Sequence, residues 1–122
     1  MPGPLNGVRV LDLTGVVSGP FATMFLADQG ADVLKIEPIG GDITRRSRAT
    51  IDKDGEFSAL FISSNRGKRS LSIDVKSTAG REVLARLVAQ ADVLVQNFRP
   101  GTMERLGLGV DELRRRHNLQ AA

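Results

Sequence analysis

The chain has 122 residues, 41% hydrophobic and 25% charged, with five Phe as its only aromatics, which fits one ordinary soluble domain whose core is built from Leu, Val, Ile and Ala. It contains no Cys and one His, which excludes disulfides and thiolate metal sites, argues against a His-based zinc centre, and makes a reducing cytoplasm the expected compartment. The net charge of +3 is spread over Arg45-Arg46-Arg48, Arg66-Lys68-Arg69 and Arg114-Arg115-Arg116 with no aromatic platform among them, a pattern that argues against nucleic acid and for a small molecule bearing phosphates.

Val8 to Leu13 is a β-branched and apolar run, read as strand one. Gly15 to Pro20 is a glycine-bracketed loop, and Pro20 suits a first helical position. Phe21, Met24, Phe25 and Ala27-Asp28 continue at helical spacing until Gly30 stops the helix. Asp32 to Glu37 is strand two, which completes a βαβ unit. Pro38 to Gly55 is a long polar excursion, of the kind that carries function in compact domains. Phe57, Leu60 and Phe61 predict a short helix. Arg69 to Val75 alternates Leu71, Ile73 and Val75 with polar residues and is strand three. Thr78 to Ala91 is an amphipathic helix with Val83, Leu84, Leu87, Val88 and Ala91 on one side, capped by Ser77 or Thr78. Asp92 to Gln96 is strand four, Asn97 to Gly101 a tight loop, Thr102 to Leu106 a short helix, and Asp111 to Arg116 a last helical piece. The order gives an α/β fold with a mostly parallel, Rossmann-like sheet. A lack of signal-peptide pattern and of any membrane-length apolar run predicts neither secretion nor a membrane partner.

In such a sheet, ligands sit outside the carboxyl ends of the strands. Gly15 to Pro20 has the spacing Gly-x-x-x-Gly-Pro, not the dinucleotide fingerprint. Glu37 stands where a ribose contact would be, and a plain strand-to-helix turn explains the segment equally well. Asn65 to Ser70 places three cations around Gly67, either to pair with phosphates or as a solvated basic turn. Lys76 ends strand three, where a ligand-facing cation is expected. Phe98 suits stacking on a base, and Asn97 and Arg99 suit hydrogen bonding to it; the other reading is a structured turn with a packed Phe. Asp12, inside strand one, is expected to satisfy a loop amide, and His117 to lie on the surface.

Six blocks have a more specific wording. They are Pro4-Leu5-x-Gly7 to Thr14, Ser18 to Met24, Leu26-Ala27-Asp28-x-Gly30 to Glu37, Asn65-Arg66-x-Lys68 to Leu71, Asp92-Val93-Leu94-Val95-x-Asn97 to Gly101, and Arg105-Leu106-Gly107. In this order they resemble the N-terminal region of family III coenzyme A transferases, which include formyl-CoA and carnitine-CoA transferases and α-methylacyl-CoA racemases. The resemblance runs from Pro4 to His117. It implies that residues 1–122 form the first part of a Rossmann-like large domain, in a protein that assembles as an interlocked homodimer. The substrates implied are an acyl-CoA and a carboxylic acid, with no separate cofactor. Carried over residue by residue, it places Val17 and Ser18 at the thioester end of CoA. Ile73, Asp74, Val75 and Lys76 fall along the nucleotide, and Asn97, Phe98 and Arg99 at the next strand end. Arg105 matches a further contact. Lys76, Arg99 and Arg105 are expected to pair with the phosphates.

Two positions depart from the family pattern. Pro38 replaces an Arg that some members carry on the adenine side, and Val17 replaces the Gln of formyl-CoA transferases. The family's nucleophilic Asp matches no position up to Ala122, so no catalytic residue is assigned. The chain alone is expected to be inactive, and poorly soluble or oligomeric through uncovered sheet edges. The other implied readings are a racemase-like isomerase and a CoA-binding module without catalysis.

Overall fold

A computed structural model describes residues 2–47 and 57–117, without the side chain of His117. Four strands, β1 (Arg9–Asp12), β2 (Asp32–Glu37), β3 (Arg69–Ser72) and β4 (Val93–Val95), form one sheet in the order β3-β2-β1-β4. Every pairing is parallel, with Leu11 opposite Leu34 and Leu94, and Lys35 opposite Ser70. Parallel strands need crossovers, and helices supply them on both faces. α1 (Ser18–Asp28) and α2 (Ala59–Asn65) pack against each other. α3 (Thr78–Gln90) covers the opposite face through Leu84 and Val88, which meet Leu11, Leu13 and Ile36. Two short helices, α4 (Thr102–Arg105) and α5 (Val110–His117), follow β4. None of the helices among the described residues is long and apolar enough to cross a membrane. The chain builds outward from β1 to β2 and β3, then returns to β4 on the other side of β1. The gap between the carboxyl ends of β1 and β4 is therefore the topological switch point of the sheet.

Most elements follow the sequence pattern, and the differences have local causes. The predicted strand three stops at Ser72, with Ile73 N–H making one further ladder bond to the Glu37 carbonyl at 3.0 Å. Beyond it Asp74 closes a turn. Its carboxylate accepts from Lys76 N–H at 3.0 Å, and its carbonyl accepts from Ser77 N–H at 3.1 Å and Ser77 Oγ at 2.8 Å. Ser77 then caps α3 through Gly80 N–H at 2.9 Å. α1 begins at Ser18, two residues before Pro20, which stays compatible because first-turn N–H groups have no intrahelical partner. Inside the predicted excursion, Ile43–Arg46 forms a 3-10 turn capped by Asp42. The rest of that excursion, residues 48–55, lies outside the described residues.

The face under α1 and α2 is apolar at one end and charged at the other. Strand periodicity sends Val10 and Asp12 of β1, and Val33, Lys35 and Glu37 of β2, to the same side. Val10 and Val33 pack with Ala31 and Leu26. Asp12, Lys35 and Glu37 are each at most 2% exposed, and each meets a partner of opposite charge. Lys68 Nζ lies 2.9 Å from Asp12 Oδ2, Lys35 Nζ 2.9 Å from Asp42 Oδ2, and Arg45 Nη2 2.7 Å from Glu37 Oε1. Pairs of this kind give little net stability, but losing one partner leaves a buried ion and costs roughly 3–5 kcal/mol.

Two predictions follow from packing and charge. A Cβ at Gly19 would lie 2.3 Å from Thr14 Cβ, whereas at Gly7, with φ +89, it would meet nothing within 4 Å. Gly19→Ala is expected to lower unfolding free energy by roughly 1–3 kcal/mol through overpacking, and Gly7→Ala by about 1–2 kcal/mol from its left-handed backbone alone. Urea titration separates them if the Gly19 variant also shows displaced α1 resonances and the Gly7 variant does not. The second prediction concerns acid. Burial pushes the Glu37 carboxyl upward, but Arg45, the Ser70 hydroxyl and the Asp42 amide outweigh it and hold its pKa at about 2, below the ordinary 4.5. A carboxylate depressed in the folded state stabilises fully above pH 4.5, and that stabilisation disappears as pH falls toward 2. Glu37→Gln should therefore flatten the acid limb of stability, on the order of 3 kcal/mol between those limits. A parallel acid limb in both proteins would show that Glu37 is not responsible.

Candidate functional site

A crevice of about 560 Å³ opens at the carboxyl ends of the strands. One wall is the segment Leu13–Val16 after β1, and the opposite wall is Pro38, Ile39, Asp42 and Ile43 after β2. Ile73, Asp74, Val75 and Lys76 close it beyond the end of β3, and Phe98 enters from the end of β4. The lining is mainly aliphatic, and a few polar groups fix what it accepts, as in small-molecule sites generally. Ile39 and Ile43 are 72% and 79% exposed, so the mouth is apolar as well. Val16 has φ 70, a left-handed conformation that a β-branched residue adopts only under strain.

The structure brings Ile73, Asp74, Val75, Lys76 and Phe98 together in the crevice wall. Val17 and Ser18 stand just beyond Val16, where Val17 leads into α1 without a capping side chain and Ser18 begins it. Asn97 lies across the switch point. Its Oδ1 accepts from Gly15 N–H at 3.0 Å and its Nδ2 donates to the Gly15 carbonyl at 2.8 Å, so its amide clamps the β1 loop to the end of β4. Arg99 opens a turn in which Thr102 N–H bonds the Arg99 carbonyl at 3.1 Å, with Pro100 and a left-handed Gly101 at its centre. Arg105 is on the same short helix as Thr102 and donates to its hydroxyl at 3.1 Å.

Charge pairing separates the cations into two groups. Arg66, Lys68 and Arg69, grouped in sequence as one basic cluster, turn to three different carboxylates: Asp28 at 2.7 Å, Asp12 at 2.9 Å and Asp32 at 2.7 Å. Arg66 and Arg69 stay more than half exposed in these pairs, as a solvated turn would have them, whereas Lys68 is buried. The Lys68 side chain is 2% exposed and also bonds the Pro20 carbonyl and Asn65 Oδ1, each at 2.9 Å. Burial lowers its pKa, against the upward pull of Asp12. Lys76, Arg99 and Arg105, by contrast, have no carboxylate partner among the described residues.

Glu37 is not available to a ribose. Its Oε1 accepts from Arg45 and Ser70, and its Oε2 from Arg45 and the Asp42 amide, all at 2.6–2.7 Å. The Arg45 guanidinium in turn lies 3.9 Å from the Phe61 ring centre and 5.5 Å from that of Phe57. Asp12 does satisfy a loop amide, that of Thr14 at 2.9 Å, but it also accepts from both Thr14 and Thr23 hydroxyls. Lys35 and Asp42 were not singled out by sequence, yet both line the crevice. Burial pushes the Asp42 carboxyl upward, while the Thr44 amide and Lys35 prevail and lower its pKa. The signal was present: Lys35 shares the inward positions of β2 with Val33, and a lysine there requires a buried partner. Arg46 lines a second, polar cavity of about 330 Å³ with Gly40, Gly41, Ser70 and Ser72.

Known proteins resemble this chain over nearly its whole length. The family described as CoA-transferase family III matches residues 5–118. The succinyl-CoA:mesaconate CoA-transferase of Haloarcula hispanica is 49% identical over 118 residues, covering 95% of this chain and 30% of its own length. The formyl-CoA:oxalate CoA-transferase of Escherichia coli is 45% identical, covering 88% of this chain and 26% of its own. Among solved structures, Rv3272 from M. tuberculosis superposes with TM-score 0.87 at 42% identity, over 96% of this chain and 32% of that one. A CAIB/BAIF family protein from Brucella suis gives TM-score 0.86 at 41% identity, over 94% and 31%. The chain thus spans under a third of the length of these relatives. With its fold, its motifs and most of its residues matched, the chain belongs to CoA-transferase family III.

Proposed function

We propose that this chain forms the coenzyme A wall of an enzyme that moves CoA between an acyl-CoA thioester and a carboxylic acid. One observation carries the reading: an aliphatic crevice at the carboxyl ends of a parallel sheet, with Lys76 in its wall and without a carboxylate partner among the described residues. An extended ligand with an apolar arm and a phosphorylated end matches that division. In this reading Ile73, Asp74, Val75 and Phe98 contact the body of CoA, and Lys76, Arg99 and Arg105 meet its phosphates by charge pairing. Val17 and Ser18 line the thioester end. Asn97 contributes by holding Gly15 in place. In this reading none of these residues serves as the nucleophile; the family resemblance gives that role to an Asp that matches no position of this chain. The cytoplasm is the compartment, and a homodimer the assembly, that this reading carries.

Calorimetric titration of the chain with CoA and acetyl-CoA at two salt concentrations tests the proposal. Saturable binding that persists in moderate salt is expected. Arg99→Ala and Arg105→Ala should each weaken it about tenfold, the worth of one charge-assisted contact. A folded chain that binds neither compound overturns the reading, as does binding indifferent to both substitutions.

A further inference from the structure

Lys35 carries a charge where strand alternation calls for an apolar residue, and its side chain is 1% exposed. Burial of an ammonium group is unfavourable unless it is paired and hydrogen-bonded. Here the two partners come from opposite sides of the crevice. The ammonium donates to the Thr14 carbonyl at 3.1 Å and stands 2.9 Å from Asp42 Oδ2. Thr14 belongs to the wall that follows β1, and Asp42 to the wall that follows β2. Among the described residues, no hydrogen bond runs directly between segments 14–16 and 38–43. Asp42 Oδ1 is occupied by the Thr44 amide and hydroxyl at 2.9 and 2.8 Å. Among the described residues Oδ2 accepts no well-angled hydrogen bond, and its ionic attraction to Lys35 is what holds it.

We propose that Lys35 is a positioning residue: through Thr14 and Asp42 it sets the separation of the two crevice walls. For its ligand-binding consequence this rests on CoA as the occupant; for the tie between the walls it does not. The other two buried pairs act elsewhere. Lys68 joins β1 to α1 and the end of α2 through Asp12, Pro20 and Asn65. Arg45 joins Glu37 to the Phe57 and Phe61 rings.

The test is the double variant Lys35→Met/Asp42→Asn in the full chain, which removes both charges together and keeps an acceptor for Thr44. Hydrogen exchange is followed at Thr14, Gly15, Gly41 and residue 42, whose amides are hydrogen-bonded in the wild type. The expected result is cooperative melting, exchange at least tenfold faster at these four amides, unchanged exchange in α3, and a Kd for CoA at least tenfold higher. Asp42→Asn alone retains the Lys35–Thr14 bond, so it should loosen Gly41 and residue 42 but not Thr14 and Gly15. If the double variant does not fold, the charge-conserving Lys35→Arg, which displaces the cation without leaving an unpaired carboxylate, decides the matter by the same readout: faster exchange at the four wall amides with α3 unchanged supports the tie, and unchanged wall exchange overturns it. Unchanged wall exchange overturns the proposal. So does acceleration spread evenly over the sheet, which would assign Lys35 to general stability, and so does wild-type CoA affinity with loosened walls. If the wild-type chain binds no CoA, the proposed function fails, while the exchange data still decide the tie.

Discussion

A carboxylate sealed from water organises one whole face of this sheet. Asp12 is fully buried at the end of β1 and accepts from the Thr14 amide and hydroxyl, the Thr23 hydroxyl and the Lys68 ammonium. Those partners come from the loop after β1, the middle of α1, and the turn between α2 and β3. An unpaired carboxylate at that depth would cost several kcal/mol, so the loop, the helix and the turn are all bound to one set of relative positions. Hydrophobic burial alone is non-directional and would leave them free to slide.

The polar layer therefore divides the labour with the apolar core. Leu11, Leu13, Ile36, Leu84 and Val88 hold α3 on one side of the sheet by burial. On the other side, Val10, Val33 and Ala31 do the same near the amino ends of the strands. Toward the carboxyl ends, where loops and not helices must be placed, ion pairs take over. Loops cannot bury much apolar surface, and their backbone groups need partners. Charges reaching up from β1 and β2 supply those partners beneath the crevice.

The fold was largely legible because its signals are local. Asp32–Glu37 reads as a strand and is one, and the 78–90 helix is announced by its apolar stripe and its Ser77 cap. The alternation of Ile73 and Val75 predicts a longer strand three than forms, because Asp74 breaks the ladder with its own turn. Side-chain direction governs the crevice, and it was less legible. Nothing in the order Arg66-Gly67-Lys68-Arg69 shows that three neighbouring cations reach Asp28, Asp12 and Asp32, which are far apart in sequence. Glu37 looked like a ligand contact because its position at a strand end is right; its four donors are visible only in three dimensions.

The grip on Arg45 has a consequence for the connection that it brackets. Glu37 holds the guanidinium from one side, and the Phe57 and Phe61 rings hold it from another, so the chain just before residue 48 and just after residue 56 is fastened at a common point. A segment whose two ends are pinned together costs little more when it grows, because loop closure rises only with the logarithm of length. By that arithmetic, doubling the length of the connection between those anchors would cost the Arg45 grip only about 0.6 kcal/mol, well below the several kcal/mol at stake when a buried ion pair loses one partner.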